Sequence, residues 1–332
     1  MKIPSIAQGS DLAGYSIYSA NRSRDFFYHC LINLRKHNIK EILIPSYIGY
    51  TISEGSGVMD AIIDARFNYQ IYPIEVDLKI NKRNLLSMIK NVDFKSTALL
   101  FIHYFGIIDK NYNDIASFAK EKGIFIFDDC AHAYYTYYLY RDYFLGDAVF
   151  FSMHKLVKNI NSKSIALIKR DSKKFDFFRF QNNIKKKKKI KNYNDVKNIN
   201  IDVIFSTFPS IQNADSIIKK RIYQVEIYKN NFKQYFNHFK ILLKEDDYQY
   251  PLQSFPILFS EKINRDYVFS SMRNLGIHVV SLYYNLSEKI TLSKFPDAHF
   301  LSKNILNLPV NEDLDKDQIQ YICNSLIKIC NL

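Results

Sequence analysis

Short apolar runs alternate with amphipathic stretches through the first half of the chain. The apolar runs predict strands over residues 41–44, 68–74, 97–103, 124–127, 148–151 and 164–169. Apolar positions at helical spacing predict the helices between them, over residues 25–37, 52–65, 84–89 and 112–122. Repeated strand and helix units of this kind favour an α/β fold, with a mostly parallel sheet joined by right-handed crossovers.

The pattern changes beyond residue 171 to long segments rich in Lys and Asn. It predicts helices over residues 214–243, 267–275 and 315–330, and strands over 255–259 and 276–280. These elements suit a smaller carboxy-terminal α/β domain. We therefore divide the chain into a large domain, residues 1–215, and a small domain, residues 216–332.

Length and composition agree with two packed domains. The chain has 332 residues, of which 47% are hydrophobic, so it can bury a large core. No apolar stretch approaches the roughly 20 residues of a membrane span, and the amino terminus lacks the apolar segment of a secretory signal. We expect a cytoplasmic protein that has no membrane partner. The four cysteines show no Cys-x-x-Cys spacing, which argues against a zinc site or a disulfide framework.

The formal net charge of +13 raises the question of an anionic partner. Lys185 to Lys189 form the one dense basic cluster. A run of this kind is typical of a solvated face or loop, and no helix-turn-helix, zinc finger or RNA-binding aromatic motif accompanies it. We therefore expect no specific nucleic-acid partner.

Candidate chemistry lies at the ends of two predicted strands. Asp128 and Asp129 follow the run at 124–127, and Lys155 follows the run at 148–151. Ligands of open α/β sheets bind at the carboxyl ends of the strands. A carboxylate there can keep the pyridine nitrogen of pyridoxal phosphate protonated, and a desolvated lysine has a lowered pKa that favours imine formation. The alternative is a helix-capping aspartate and a solvated lysine.

The order of these features resembles the DegT/StrS group of fold type I pyridoxal phosphate enzymes, the nucleotide-sugar aminotransferases. Asp129 and His132 match the family's acidic motif at the end of a strand, and Ser152 and Lys155 match its Phe-Ser segment and Schiff-base lysine. The other matching segments are ILIPSYIGYT at residues 42–51, HYFG at 103–106, GD at 146–147 and NLPVNEDL at 307–314.

The resemblance implies a role for each matching residue. Lys155 would carry the cofactor and act as the general acid and base, Asp129 would pair with the pyridine nitrogen, and His132 would lie against the cofactor's ring oxygen. The implied phosphate-binding residues are Ser152, Arg22 and Ser23, the last two at the start of a helix. It also implies a fold type I architecture: a large cofactor-binding domain around a mostly parallel sheet of seven strands, and a small carboxy-terminal α/β domain.

Three features of the sequence leave alternatives open. Family members commonly carry a Gly-Gly pair after the lysine, where this chain has Ser162 and Lys163. Many members place the lysine later than Lys155, so Lys158 is a rival for the same role. Tyr47 could cover the cofactor's ring or could pack in the core.

By resemblance, the function is transfer of an amino group, with glutamate as the donor, to a keto sugar that is linked to a nucleotide. The product would serve surface polysaccharide or glycosylated natural-product biosynthesis, and the enzyme would be a homodimer. One alternative is a pyridoxal phosphate enzyme with other chemistry, such as sugar dehydration, or with a substrate that is not a sugar. The other is a cofactor-free descendant that acts as a binding or scaffold protein.

Overall fold

The computed structural model describes residues 14–53, 55–156, 164–170, 197–198, 214–235, 237–243 and 249–332. The elements of the amino-terminal part are β1 (Tyr15–Ala20), α1 (Ser23–Lys36), β2 (Glu41–Pro45), β3 (Gly49–Tyr50), α2 (Met59–Asp64), β4 (Asn68–Tyr72), α3 (Lys82–Asn91), β5 (Thr97–Ile102), α4 (Tyr112–Glu121), β6 (Phe125–Asp129), α5 (Tyr134–Leu139), β7 (Ala148–Ser152), β8 (Ser164–Lys169) and β9 (Lys197–Asn198).

One large sheet organises this part of the molecule, with strand order β4-β2-β5-β6-β7-β8-β1-β9. The pairs from β4 to β7 are parallel, and β8 runs antiparallel between β7 and β1. The predicted α/β fold with a mostly parallel sheet is confirmed. In the described part of the chain the sheet has eight strands instead of seven, because the two-residue β9 pairs with β1.

The central strands are buried on both faces, as continuous apolar runs predict. Helix α1 packs on one face through aromatic side chains. Phe27 meets Phe127 of β6 edge to face at 5.1 Å, and it lies 5.7 Å from Phe150 of β7. These contacts place the amino-terminal end of α1 beside the carboxyl ends of the central strands.

The carboxy-terminal part has its own apolar core and a three-stranded antiparallel sheet of order β10-β11-β13. Its elements are α6 (Ala214–Phe232), β10 (Phe239–Ile241), β11 (Ser254–Phe259), α7 (Arg265–Asn274), β12 (Asn285–Leu286), α8 (Pro296–Asn304), β13 (Ile305–Pro309) and α9 (Lys316–Ile329). β12 pairs with β3 of the amino-terminal part, so the two parts contact each other through a two-stranded antiparallel sheet. The proposed boundary between residues 215 and 216 stays a prediction.

Three predicted elements differ from the structure. The helix predicted over 52–65 begins only at Met59, whose backbone N–H is bonded to the Ser56 hydroxyl. The helix predicted over 214–243 ends at Phe232, and a short strand follows. The strand predicted over 276–280 is replaced by a turn at Gly276 (φ +77°) and a single bridge between Val280 and Asn307.

In the described segments no helix is both long enough and apolar enough to cross a membrane. The lysine cluster at residues 185–189 lies outside the described residues.

Candidate active site

Three strand ends meet at one edge of the large sheet. β5 leads into His103, β6 ends at Asp128 and Asp129, and β7 leads into the turn that carries Lys155. The register is fixed by backbone pairing, since the His103 N–H donates to the Asp129 carbonyl at 3.0 Å. The acids and the lysine that the sequence singled out therefore lie on neighbouring strands at the ligand-binding edge.

Asp128 lies inside the protein and is fully hydrogen-bonded. One carboxylate oxygen contacts His103 Nε2 at 3.1 Å, and the other accepts from the Tyr112 hydroxyl and the Gly146 N–H, both at 2.8 Å. Gly146 has no room for a side chain, because a Cβ atom would lie 2.5 Å from the Asp128 carboxylate. Asp128 thus ties together β5, α4 and the loop before β7.

Asp129 points to the other side of the strand and is only partly buried. Its Oδ1 accepts from the Ala131 N–H at 2.9 Å, and no group in the described segments donates to Oδ2. Burial raises the pKa of this carboxyl, while the Ala131 N–H and the charge of Lys155 oppose that shift. Asp129 is therefore the carboxylate with an oxygen left open at the edge.

His132 lies one turn beyond Asp129 and contacts the lysine. Its Nε2 is 2.9 Å from the Lys155 amine. The ring is buried, and burial, reinforced by the charges of Lys155 and His154, holds its pKa well below the usual range. A neutral imidazole that accepts from the Lys155 amine through Nε2 carries its proton on Nδ1.

Hydroxyl groups gather beside the lysine turn. Ser23, the first residue of α1, shares a hydrogen bond of 2.9 Å with Ser164, whose hydroxyl donates to the Phe151 carbonyl. Ser164 pairs across the strands with Ser152, which is buried. The structure thus brings Ser23 and Ser152 together through Ser164, a residue that the sequence analysis missed.

Arg22 precedes these serines at the start of α1. Its guanidinium pairs with the buried carboxylate of Asp25 at 3.0 Å, and the same carboxylate accepts the Arg22 N–H at 3.1 Å. The side chain is 40% exposed, so Arg22 lies at the rim of the serine cluster.

Tyr47 packs inside the protein. It is completely buried, its hydroxyl donates to the Leu282 carbonyl at 3.1 Å, and its ring packs against Tyr104 and Tyr283. Its assignment as a cofactor-binding residue stays a prediction, and in the structure the ring is packed in the core. Tyr47 has the packing role that the sequence also allowed.

Two aromatic residues that the sequence analysis did not select contact His132. Phe105 lies parallel to its ring at 6.0 Å, and Tyr283 approaches it at 6.2 Å from the carboxy-terminal part. Both have a positive φ, near 59°. A positive φ is uncommon in residues other than glycine, and the sequence pattern does not predict it here. The rival lysine Lys158 and the pair Ser162 and Lys163 lie outside the described residues.

The family is decided by comparison with known sequences. Residues 61–327 match the model of the DegT/DnrJ/EryC1/StrS aminotransferase family. The chain belongs to this family. No curated protein matches it significantly. The predicted resemblance is confirmed, and the chain is a pyridoxal phosphate-dependent aminotransferase.

Solved structures show the same fold at low sequence identity. A family aminotransferase from Brucella abortus is 15% identical with a TM-score of 0.72, covering 98% of this chain and 88% of that one. PseC from Helicobacter pylori, an aminotransferase involved in pseudoaminic acid biosynthesis, is 16% identical with a TM-score of 0.70, covering 95% and 86%. A Streptococcus pneumoniae protein described as a sugar aminotransferase, in its PLP form, is 13% identical with a TM-score of 0.72, covering 95% and 87%.

The residues at the sheet edge fit the cofactor. Asp129 Oδ2 offers an open acceptor beside the amine of Lys155, and the hydroxyls of Ser23 and Ser152 lie next to a helix amino terminus. An open carboxylate, an amine and a helix start with hydroxyls suit a pyridine nitrogen, an aldehyde and a phosphate respectively.

Proposed function

We propose that Lys155 holds the cofactor and that the enzyme aminates a keto sugar linked to a nucleotide, with glutamate as the amino donor. The observation that carries this proposal is the 2.9 Å contact between the Lys155 amine and the neutral, buried His132, one turn from the open carboxylate of Asp129. Amine, neutral acceptor and carboxylate lie together at this edge of the sheet.

Asp129 supplies the negative charge of the site. When bound, pyridoxal phosphate provides an electron sink for the substrate carbon and carries the amino group between the two substrates. Asp129 would hold a proton on the pyridine nitrogen through its open Oδ2, while the Ala131 N–H fixes Oδ1. Burial alone would favour the neutral form of Asp129, and the positive charge of a protonated pyridine nitrogen would favour the carboxylate form.

Lys155 would move the proton during the reaction. As a neutral amine Lys155 would hold the aldehyde of the cofactor, and as a free amine it would accept a proton as a base and return it as an acid. His132 orients it by accepting a hydrogen bond, and the low pKa of His132 keeps the imidazole neutral through this cycle. A charged imidazole would repel the ammonium form of Lys155.

The phosphate site is assigned to the start of α1. Ser23 and Ser152 would donate hydroxyl hydrogen bonds, and the positive end of the α1 helix dipole would favour the negative charge. Ser164 holds Ser23 in place. Arg22 at the rim would add positive charge while Asp25 orients it.

The substrate assignment is supported by the family and its relatives. PseC acts in pseudoaminic acid biosynthesis, and the Streptococcus pneumoniae relative is described as a sugar aminotransferase. By this likeness the product would enter surface polysaccharide or glycosylated natural-product biosynthesis in the cytoplasm. Product analysis with keto sugar nucleotides and labelled glutamate tests it; release of a dehydrated sugar would contradict it.

A homodimer is also part of the proposal. Lys155 is exposed, and apolar side chains stand open beside the β3–β12 ribbon, including Ile52, which is 92% exposed, and Tyr284. A second copy would cover this surface, because exposed apolar groups of this kind mark interfaces. Sedimentation should give twice the chain mass of 39.2 kDa, and a fully active monomer would contradict the dimer.

Borohydride reduction tests the lysine. The purified protein with pyridoxal phosphate should absorb in the visible region, and reduction followed by peptide mapping should place the adduct on Lys155. Lys155→Ala should lose both the adduct and turnover. Lys82→Ala is the matched control, because Lys82 pairs with Asp114 at the surface. An adduct on Lys158, with turnover retained in Lys155→Ala, would overturn the assignment.

A further inference from the structure

The ring of His132 rests on a side chain with an uncommon backbone conformation. Phe105 is fully buried and lies against His132 with ring centroids 6.0 Å apart and an interplanar angle of 10°. Its φ of 59° and ψ of 6° fall in the left-handed region, which costs roughly 1–2 kcal/mol in a residue that has a Cβ atom. Such a conformation persists only where surrounding contacts hold it.

Contacts from both parts of the molecule hold this turn. The Gln253 N–H donates to the Phe105 carbonyl at 2.9 Å, and the Thr136 hydroxyl donates to the Gly106 carbonyl at 2.7 Å. Gly106, with φ +96°, packs so closely that a Cβ atom there would lie 3.2 Å from the His132 carbonyl oxygen. The turn is therefore fixed from α5 on one side and from the segment before β11 on the other.

Arg221 of α6 anchors that segment. Its buried guanidinium donates to the Leu252 carbonyl at 2.8 Å and pairs with Glu312 at 2.8 Å. It also lies over the ring of Tyr135, 5.1 Å from the centroid. Leu252, next to Gln253, is thus held by the guanidinium of Arg221, which contacts both the carboxy-terminal part and α5.

We propose that Phe105 is a positioning residue that fixes the imidazole of His132, and that residues 252–253 fix Phe105. The stack and the fixed turn set the plane of the imidazole, and that plane directs Nε2 at the Lys155 amine. The catalytic consequence rests on the proposed role of Lys155, whereas the effect on His132 does not. The carboxy-terminal part thereby acts on Lys155 through three successive contacts: a hydrogen bond to Phe105, the ring contact with His132, and the hydrogen bond to the amine.

Imidazole nitrogen NMR of the cofactor-free protein tests the proposal. In the unchanged protein His132 should show one neutral tautomer, with the proton on Nδ1, at pH 6–8. Phe105→Leu removes the flat surface but keeps an apolar side chain, so the population ratio of the two tautomers should fall about two- to tenfold, the range that the energy of an aromatic pair implies. The pKa of His132 should rise as water reaches the ring.

A matched control and a milder variant keep the test decisive. Phe232 is also fully buried and stacks on Tyr228 at 6.1 Å within the carboxy-terminal core, so Phe232→Leu should leave the His132 signals unchanged. Should Phe105→Leu fail to fold, Thr136→Val removes only the hydrogen bond to Gly106 and should shift the tautomer ratio in the same direction. A single wild-type tautomer in every folded Phe105 and Thr136 variant would overturn the proposal.

Peptide mapping of the same proteins separates this proposal from the preceding one. If Lys155 holds the cofactor, Phe105→Leu should slow adduct formation there about two- to tenfold, by the same stacking energy, and Phe232→Leu should not. If the unchanged protein forms its adduct elsewhere, the role of Lys155 fails. The tautomer measurement would still decide the role of Phe105.

Discussion

Asp128 and Asp129 are neighbours in sequence, yet their surroundings are opposite. Asp128 is closed in by His103, Tyr112 and Gly146, each of which contacts its carboxylate. Among the described residues, Asp129 has one backbone partner, and its other oxygen is open at the sheet edge. Successive strand residues face opposite sides, so one strand end presents one acid to the core and the other to the ligand site.

The difference shows how a carboxylate can serve either structure or chemistry. A buried charge is tolerated when several donors surround it, and the donors of Asp128 come from three separate segments. In the part of the chain that the structure describes, Asp129 lacks such donors, and burial raises its pKa. Its charge is favoured once a cationic group of a ligand approaches, which makes Asp129 the acid with unused binding capacity.

Asp129→Asn should have the largest effect on catalysis. The amide keeps the acceptor for the Ala131 N–H but carries no charge for the pyridine nitrogen, so kcat should fall about 10²–10³-fold. The midpoint of thermal unfolding of the cofactor-free protein should change little, because Asn fills the same space. Steady-state kinetics measures kcat, and calorimetry of the same sample measures the unfolding midpoint. A kcat within about threefold of wild type would contradict the role of Asp129 in catalysis.

Asp128→Asn should instead act on stability. An amide NH₂ in place of one carboxylate oxygen would face donors, which should lower the free energy of unfolding by roughly 3 kcal/mol. Urea titration measures it. Asp114→Asn is the control, since Asp114 pairs with Lys82 on the surface and should cost less than about 1 kcal/mol. Equal losses of unfolding free energy in the two variants would contradict a special structural role for Asp128.

The sequence predicted the strands that carry the site because each is a continuous apolar run between polar turns. It did not predict β1, whose residues Tyr15–Ala20 mix polar and apolar side chains and become a strand only by pairing with β8. Local pattern cannot report a partner that lies some 150 residues away, as the register of Tyr15 with Lys169 shows.

The site shows the same limit. Asp129, His132 and Lys155 were found because their order along the chain is informative. Phe105 and Arg221 were not, since their roles depend on a positive φ and on burial between two parts of the chain. Tyr47 could not be given one role for a related reason: an aromatic residue after a strand suits a cofactor face and a core equally well.

The smallest expected effect is the contribution of Asp129 to the pH dependence of stability. Because the pKa of Asp129 is raised in the folded, cofactor-free protein, the native state holds this proton to higher pH than the unfolded chain does. Between the ordinary value near 4 and the raised value, stability from this group is lost as pH rises. Asp129→Asn removes the titration, so the free energy of unfolding of wild type should decline relative to this variant over that window. Urea titrations at several pH values from 4 upward measure the difference. A wild-type advantage that grew with pH would mean that Asp129 is held ionised in the folded protein, by donors of the kind that enclose Asp128.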